Sequence, residues 1–253
     1  MPTKTVRAAV LLIGDELLSG RTQDMNLRTI AKFLAPLGVQ VAEARVVADR
    51  PEAIIAALNA LRAGYDYVFT TGGIGPTHDD KTADAVADAF GVSIDVHPDA
   101  RAILEAHYKT TDLNEARLRM ARIPDGAVLI ANPVSRAPGF QFGNVFVLAG
   151  VPSIMRGMLE DVGPRIKGGA VVRTVTLRGK GLREGDIAAG LEALERAAPG
   201  VWFGSYPWFG PDGFGAHLVA RSVNATALAK ADEDMKALIR SEGIEPEEVD
   251  ESA

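Results

Sequence analysis

Two periodicities alternate along the first part of this chain. Val6 to Ile13 (VRAAVLLI) is almost uninterruptedly apolar, the pattern of a strand covered on both faces in a parallel sheet. After a loop from Gly14 to Gln23, Asp24 stands where a helix cap belongs. Leu27, Ile30, Ala31, Leu34 and Leu37 then recur on one helical face until Gly38. Val39 to Val47 predicts a second strand. Asp49-Arg50-Pro51-Glu52 opens the next helix with capping-box-like spacing, and Gly64 closes it. Tyr67 to Thr71 (YVFTT) predicts a third strand, and Thr82 to Phe90 a helix ended by Gly91. This β-α-β-α-β-α order predicts a three-layer α/β/α fold with a mostly parallel sheet.

Beyond Gly91 the elements shorten. Val92 to Val96 predicts a strand, His97-Pro98-Asp99 a helix start, and Asn114 to Arg122 a helical stretch. Val128 to Ile130 predicts a strand and Phe140 to Leu148 a hairpin turning at Gly143-Asn144. Leu148-Ala149-Gly150-Val151-Pro152-Ser153 then runs strand, glycine turn and cap into a helix from Ile154 to Asp161. Gly163-Pro164 to Gly168-Gly169 marks a boundary. Past it, a strand (Ala170 to Leu177), a helix (Glu184 to Arg196), two strands (Val201 to Tyr206, Phe214 to Arg221) and a helix (Ala225 to Arg240) predict a small α+β domain. The expected organisation is an α/β domain over 1–165, the small domain over 166–240 and a tail over 241–253. Both tryptophans and four other aromatics crowd between Trp202 and Phe214. They read as the small domain's core or a dimer contact, with ring stacking the lesser alternative.

Composition removes several classes of function. No apolar run is long enough to span a bilayer, and the N-terminal apolar stretch breaks at Gly14-Asp15-Glu16, so neither a membrane span nor a signal peptide is expected. The chain has no cysteine, which excludes disulfides and thiolate metal sites and fits a cytoplasmic location. Its four histidines (78, 97, 107, 217) form no His-x-x-x-His pair, so an expected metal is oxygen-ligated Mg2+, Mn2+ or Co2+ rather than zinc. The net charge of −6 is local. Six of the 33 acids lie in Ser241 to Ala253, which has no Lys or Arg, and the rest match the 27 bases in number. That tail is expected to be disordered, and a neutral body predicts no nucleic-acid partner. A neutral body with clustered aromatics is compatible with a homo-oligomer, either a dimer or a trimer.

Candidate chemistry gathers in the loops. Thr70-Thr71-Gly72-Gly73-Ile74-Gly75-Pro76-Thr77-His78-Asp79-Asp80 places a strand, a glycine turn, two carboxylates and a helix start in succession. Such a turn lets main-chain N–H groups approach an oxyanion at the positive end of a helix. It is not a Walker loop, since no Gly-Lys-Ser/Thr follows, and the third glycine of the dinucleotide fingerprint is missing. Carboxylates beside a phosphate repel it unless a divalent cation lies between them. The turn thus reads as a site for phosphate-bearing ligands with metal assistance; its alternative is an ordinary strand-to-helix turn with a capping aspartate.

Ligands of open α/β sheets sit outside the carboxyl ends of strands. Gly14 to Gly20, Gly72 to Asp80, Asn132 to Gly139 and Gly150 to Ser153 all qualify, and Arg136 in the third offers a cation. Gly72, Gly73 and Gly75 are expected to present donors. Asp80, with Asp79 or Asp15, is expected to hold a metal and orient water. Ser19, Asn26 and Ser135 suit ribose, pterin or amide groups, and Gly14, Glu16, Pro76, Thr77, Gly139 and Gly150 complete the candidate ligand-binding set. For Asp15 and Glu16 the alternative is a helix-start charge. Asp84 and Asp88 read as a solvated helix face.

Gly14-Asp15-Glu16-Leu17-Leu18-Ser19-Gly20, Val47-Ala48-Asp49, Thr70 to Asp80 with Thr82, and Ala137-Pro138-Gly139 resemble the molybdopterin-binding (MoaB/MogA-like) fold. More narrowly they resemble the N-terminal module of the CinA family, a module also fused to some eukaryotic FAD synthases. Leu148 to Ser153 is nearest to that branch. The likeness covers residues 5–160, and Gly204-Ser205-Tyr206-Pro207 carries it more weakly into the small domain. It implies a pocket for a pterin or nucleotide diphosphate, with molybdopterin as a possible ligand. It also implies metal-dependent hydrolysis of ADP-ribose or FAD at the diphosphate, with Asp49 and Asp80 matching the aspartates that relatives use. Two alternatives stand beside hydrolysis: a non-catalytic pterin or nucleotide module, and adenylyl transfer to molybdopterin. The C-terminal deamidase domain of full-length CinA and a synthase domain are both absent from these residues, so neither activity is expected.

Overall fold

A computed structural model of the chain describes residues 5–211 and 213–249. The chain divides into two compact units, Met1–Ala170 and Val171–Ala253. The first contains β1 (Val6–Ile13), β2 (Val39–Val47), β3 (Tyr67–Thr71), β4 (Ile94–Val96), β5 (Arg122–Pro124), β6 (Val128–Ile130), β7 (Gly139–Phe142) and β8 (Val145–Leu148). Its helices are α1 (Asp15–Leu18), α2 (Asn26–Leu34), α3 (Pro51–Gly64), α4 (Thr82–Phe90), α5 (Pro98–Tyr108), α6 (Glu115–Arg119) and α7 (Pro152–Val162). Six strands form one sheet in the order β2-β1-β3-β8-β7-β6. β2, β1, β3 and β8 are parallel, and β7 runs against both β8 and β6.

The unbroken apolar run of β1 has a direct structural reason. Leu11 and Ile13 enter one core with Ile54, Leu58 and Val86, while Val10 and Leu12 enter the opposite core with Ile30, Phe69 and Phe146. Both faces of the strand are therefore buried. Asp24 caps α2 as its position predicts, its carboxylate accepting from the N–H groups of Asn26 and Leu27 at 3.0 Å. The hairpin turn at Gly143-Asn144 also has a long-range task. The Asn144 amide donates to the carbonyls of Arg62 and Tyr65, satisfying the C-terminal end of α3.

The second unit contains β9 (Arg173–Lys180), α8 (Glu184–Ala197), β10 (Trp202–Gly210), β11 (Gly213–Ser222), α9 (Ala225–Ser241) and β12 (Glu247–Glu248). Its antiparallel sheet has the order β10-β11-β9-β12. Leu177, Phe203, Ala216 and Leu218 from one face of that sheet pack against Ile187 of α8 and Leu228, Met235 and Ile239 of α9.

Three sequence expectations require correction here. The acidic end is ordered as far as residue 249: Glu247 and Glu248 pair with β9, and Glu248 reaches Lys236 at 2.8 Å. Acids clustered in sequence find cations far away in sequence, which composition cannot register. Residues 250–253 lie outside the described residues. Of the two main readings of the aromatic cluster, the core holds for Phe203 alone: Trp202 and Tyr206 are exposed on the opposite face of the strand, and Phe209 and Phe214, on the face of Phe203, are exposed beside the β10–β11 turn. The helix expected over Asn114 to Arg122 stops at Arg119, and Arg122 begins β5.

Candidate functional site

Parallel β2, β1, β3 and β8 are neighbours, so the loops after all four leave the sheet at one edge. The chain after β6 turns at the same edge, since β6 runs against β7 and β7 against β8. The sequence-predicted loops therefore meet. Gly14 N–H donates to Val47 O at 3.1 Å, and Asp15 N–H to the Asp49 carboxylate at 2.9 Å, tying the β1 and β2 loops together. The Asn26 amide donates to Gly150 O at 2.7 Å, and a Cβ on Gly150 would lie 3.2 Å from Gly72 Cα.

The turn after β3 is shaped by two left-handed glycines, Gly72 (φ 103°) and Gly73 (φ 67°). Buried Thr82 at the start of α4 clamps it, donating from its hydroxyl to Gly72 O and from its N–H to Gly73 O, both at 2.9 Å. Gly72 N–H is consumed by Leu148 O. The N–H groups of Gly73, Ile74 and Gly75 have no hydrogen-bond partner among the described residues. Asp80 lies against this turn: a Cβ on Gly75 would sit 2.7 Å from Asp80 Oδ2. That oxygen accepts from Thr77 N–H at 2.8 Å and from the Thr77 hydroxyl at 2.6 Å, while Oδ1 has no partner among the described residues. Behind the turn, Gly73, Ile74 and Asp80 share a cavity of about 10 Å³, room for about one water, with Arg119 and Arg122.

The electrostatics are lopsided. Partial burial pushes the Asp49 carboxyl above its ordinary range, and the charges of Glu16, Asp15 and Asp79 push the same way against the Asp15 N–H bond. Crowded carboxylates suit a cation. Yet no three His, Asp or Glu side chains among the described residues are grouped so as to hold a metal, and Asp15, Asp79 and Asp80 form no such set.

Other predicted residues have mixed fates. The Ser19 hydroxyl is spent on Glu16 O at 3.2 Å. Ser135 accepts from the buried Asn132 amide, which also bonds Ala137 O and orders the whole 132–137 loop. Gly139 is buried in β7, where a Cβ would overlap Val147 O and Met158, so packing alone requires a glycine there. Asp84 is no solvated charge, since it pairs with Arg122 at 2.6 Å. Arg119 escaped sequence reasoning because it lies in a segment with no motif, almost forty residues from the turn it approaches. Pro76 is an exposed member of the turn.

Residues 9–168, which include this whole edge, match the family described as a probable molybdopterin binding domain. The chain belongs to that family. Within it the chain is CinA-like. It is 35% identical to the crystal structure of CinA from Thermoplasma acidophilum, a protein described as of unknown function, over 64% of this chain and 99% of that one (TM-score 0.61). A CinA-like protein of Citrifermentans bemidjiense is 42% identical over 203 residues, covering 77% of this chain and 48% of the relative. One from Gemmatimonas aurantiaca is 34% identical over 91% of this chain and 57% of its own length. The chain thus spans about half the length of these CinA-like relatives. Residues 173–248 match the family described as the FAD synthase middle domain. Among the described residues no helix is long and apolar enough to cross a membrane.

Proposed function

We propose that this edge binds the diphosphate of a dinucleotide such as ADP-ribose or FAD and hydrolyses it. One observation carries the reading: three consecutive N–H groups, Gly73 to Gly75, have no partner among the described residues in the turn that Thr82 ties to the start of α4, with Asp80 against them. Unbonded turn amides close to a helix start suit phosphoryl oxygens, and they stabilise the charge that grows on those oxygens during attack. A water oxygen forms the new bond to phosphorus while the bond from phosphorus to the bridging oxygen breaks. The water's proton passes to a carboxylate, for which Asp49 is suited by a raised affinity for protons. A divalent cation arriving on the substrate would offset the repulsion between its phosphates and the acids around Asp49. ADP-ribose would yield AMP and ribose 5-phosphate.

The test is chromatography of ADP-ribose, FAD, NAD and ATP incubated with the protein and Mg2+, Mn2+ or Co2+. We expect AMP release from ADP-ribose or FAD, abolished in Asp80→Asn and Asp49→Asn with the fold kept. Undiminished release by Asp80→Asn sinks the proposal.

A second reading, a non-catalytic pterin or nucleotide module, has its own support. Asp80 Oδ2 is already committed to Thr77, and the buried Asn26 Oδ1 has no donor among the described residues, a place for a ring N–H or amino group. Tight calorimetric binding that ignores EDTA, with no product, would favour it. Adenylyl transfer would show itself as ATP consumption only when molybdopterin is present.

A further inference from the structure

The C-terminal sheet has two faces of different chemistry. Register puts Phe203, Leu177, Ala216 and Leu218 on the face covered by α8 and α9. The residues between them point the other way. On β10 these are Trp202, Gly204, Tyr206 and Trp208; their partners on β11 are Arg221, Val219, His217 and Gly215; Lys180 and Arg178 follow on β9. Among the described residues, α8 and α9 pack on the first face and not on this one.

Its rings lie flat, because the glycines make room for them. A Cβ on Gly204 would sit 2.5 Å from the Trp202 ring, and one on Gly215 would sit 2.9 Å from the Trp208 ring. Guanidinium groups share the layer: Arg178 lies 4.0 Å from the Trp208 centroid and Arg221 lies 5.1 Å from that of Trp202. Trp202 and Tyr206 are each 45% exposed, a level at odds with a packing role. Arg178 Nε and Trp208 Nε1 are buried donors without an acceptor, so donor capacity is in excess at this end of the face. Against Arg178, Lys180 and Arg221, the register brings, among the described residues, one acid to this face, Glu247, which stands 3.8 Å from Arg178. In a chain of net charge −6 this is a local reversal of sign.

We propose that this face binds single-stranded nucleic acid, with bases stacked on Trp202 and Tyr206 and phosphates held by Arg221, Arg178 and Lys180. The charge selects an anion and disfavours a second copy laid face to face, which would bring like charges together. The rings select a ligand with flat unpaired bases, which a duplex hides. Length selects a strand over a mononucleotide: Trp202 and Tyr206 are four strand positions apart, about 13 Å, more than one base covers. The neutral charge balance of the whole body predicted no such partner; sorting by face is what reveals it.

The chain has only two tryptophans, both on this face, so their fluorescence reports occupancy directly. The full chain is titrated with a ten-residue oligo(U), the matching duplex, and UMP, at low and moderate salt. The expected result is saturable quenching by the single strand, with much weaker binding of the duplex and UMP. Trp202→Ala should weaken binding by about 5- to 100-fold, and Trp202→Phe should restore part of it. Arg221→Gln should flatten the salt dependence of log K by about 0.7. Both side chains lie outside the core, and circular dichroism checks the fold. ADP-ribose turnover should be unchanged in all three variants, so the two proposals fail separately. Equal affinity for UMP and the oligomer, equal affinity for the duplex, or binding indifferent to both Trp202→Ala and Arg221→Gln would each overturn the assignment.

Discussion

Gly73→Ala isolates the clamp on which the candidate site depends. Gly73 has φ 67°, and a Cβ there would overlap the hydroxyl of Thr82. The left-handed backbone costs an L-residue about 1 to 2 kcal/mol. The displaced Thr82 hydroxyl would lose its 2.9 Å bond to Gly72 O. Thr82 is fully buried, so water cannot replace that bond, and the loss adds about 1 to 2 kcal/mol. A total of about 2 to 4 kcal/mol corresponds to a fall in Tm of about 5 to 15 °C for a chain of this size. Calorimetry of Gly73→Ala, Thr82→Ala and the double variant separates the two parts. Thr82→Ala removes the obstructing oxygen, so the double variant should be more stable than the sum of the single losses by about 1 kcal/mol. Gly75→Ala is the contrast. Its neighbour is the end of the Asp80 side chain, which must shift from its bonds to exposed Thr77, where water can replace them, so it should cost about 1 kcal/mol while lowering diphosphate affinity. Strict additivity, or a Gly73→Ala transition within 1 °C of the parent, would refute the clamp.

Two further outcomes follow from the same structure. The Asp49 carboxyl is raised in the fold, so its stability contribution is complete below its unfolded pKa and is lost as pH rises through the folded one. Asp49→Asn should therefore melt higher than the parent at pH 7, by less than about 1 kcal/mol at this partly solvated site, and lose that advantage near pH 3; a penalty at pH 7 would contradict the sign. Lys236 binds Asp232 and Glu248, both at 2.8 Å, and is held above the usual lysine range by those bonds. Lys236→Met should speed amide exchange at Val249, whose N–H donates to Thr176 O at 3.0 Å; unchanged protection would show that the strand pairing alone holds β12.

What the sequence determined by itself is whatever depends on near neighbours in the chain. The apolar run of β1, the Asp24 cap and the glycine-rich turn after β3 follow from local sterics and local hydrogen bonds, so periodicity and residue type are enough. Two faces of burial leave a mark on one strand's composition, and a left-handed turn leaves a glycine.

Only the tertiary structure decided how charges and rings are shared out. Asp84 and Arg122 are remote in sequence yet form an ion pair, which turns an apparent solvated charge into a structural one. Asp49 owes its raised proton affinity first to partial burial and then to the charges of Glu16, Asp15 and Asp79, on loops that meet it because β2, β1 and β3 are adjacent. Glu247 and Glu248 become a strand by adding to β9, and Trp202 and Tyr206 become a surface by pointing away from α8. Each outcome depends on strand order and register, which long-range contacts fix. A charge or a ring carries no local signal of the partner that folding will bring to it.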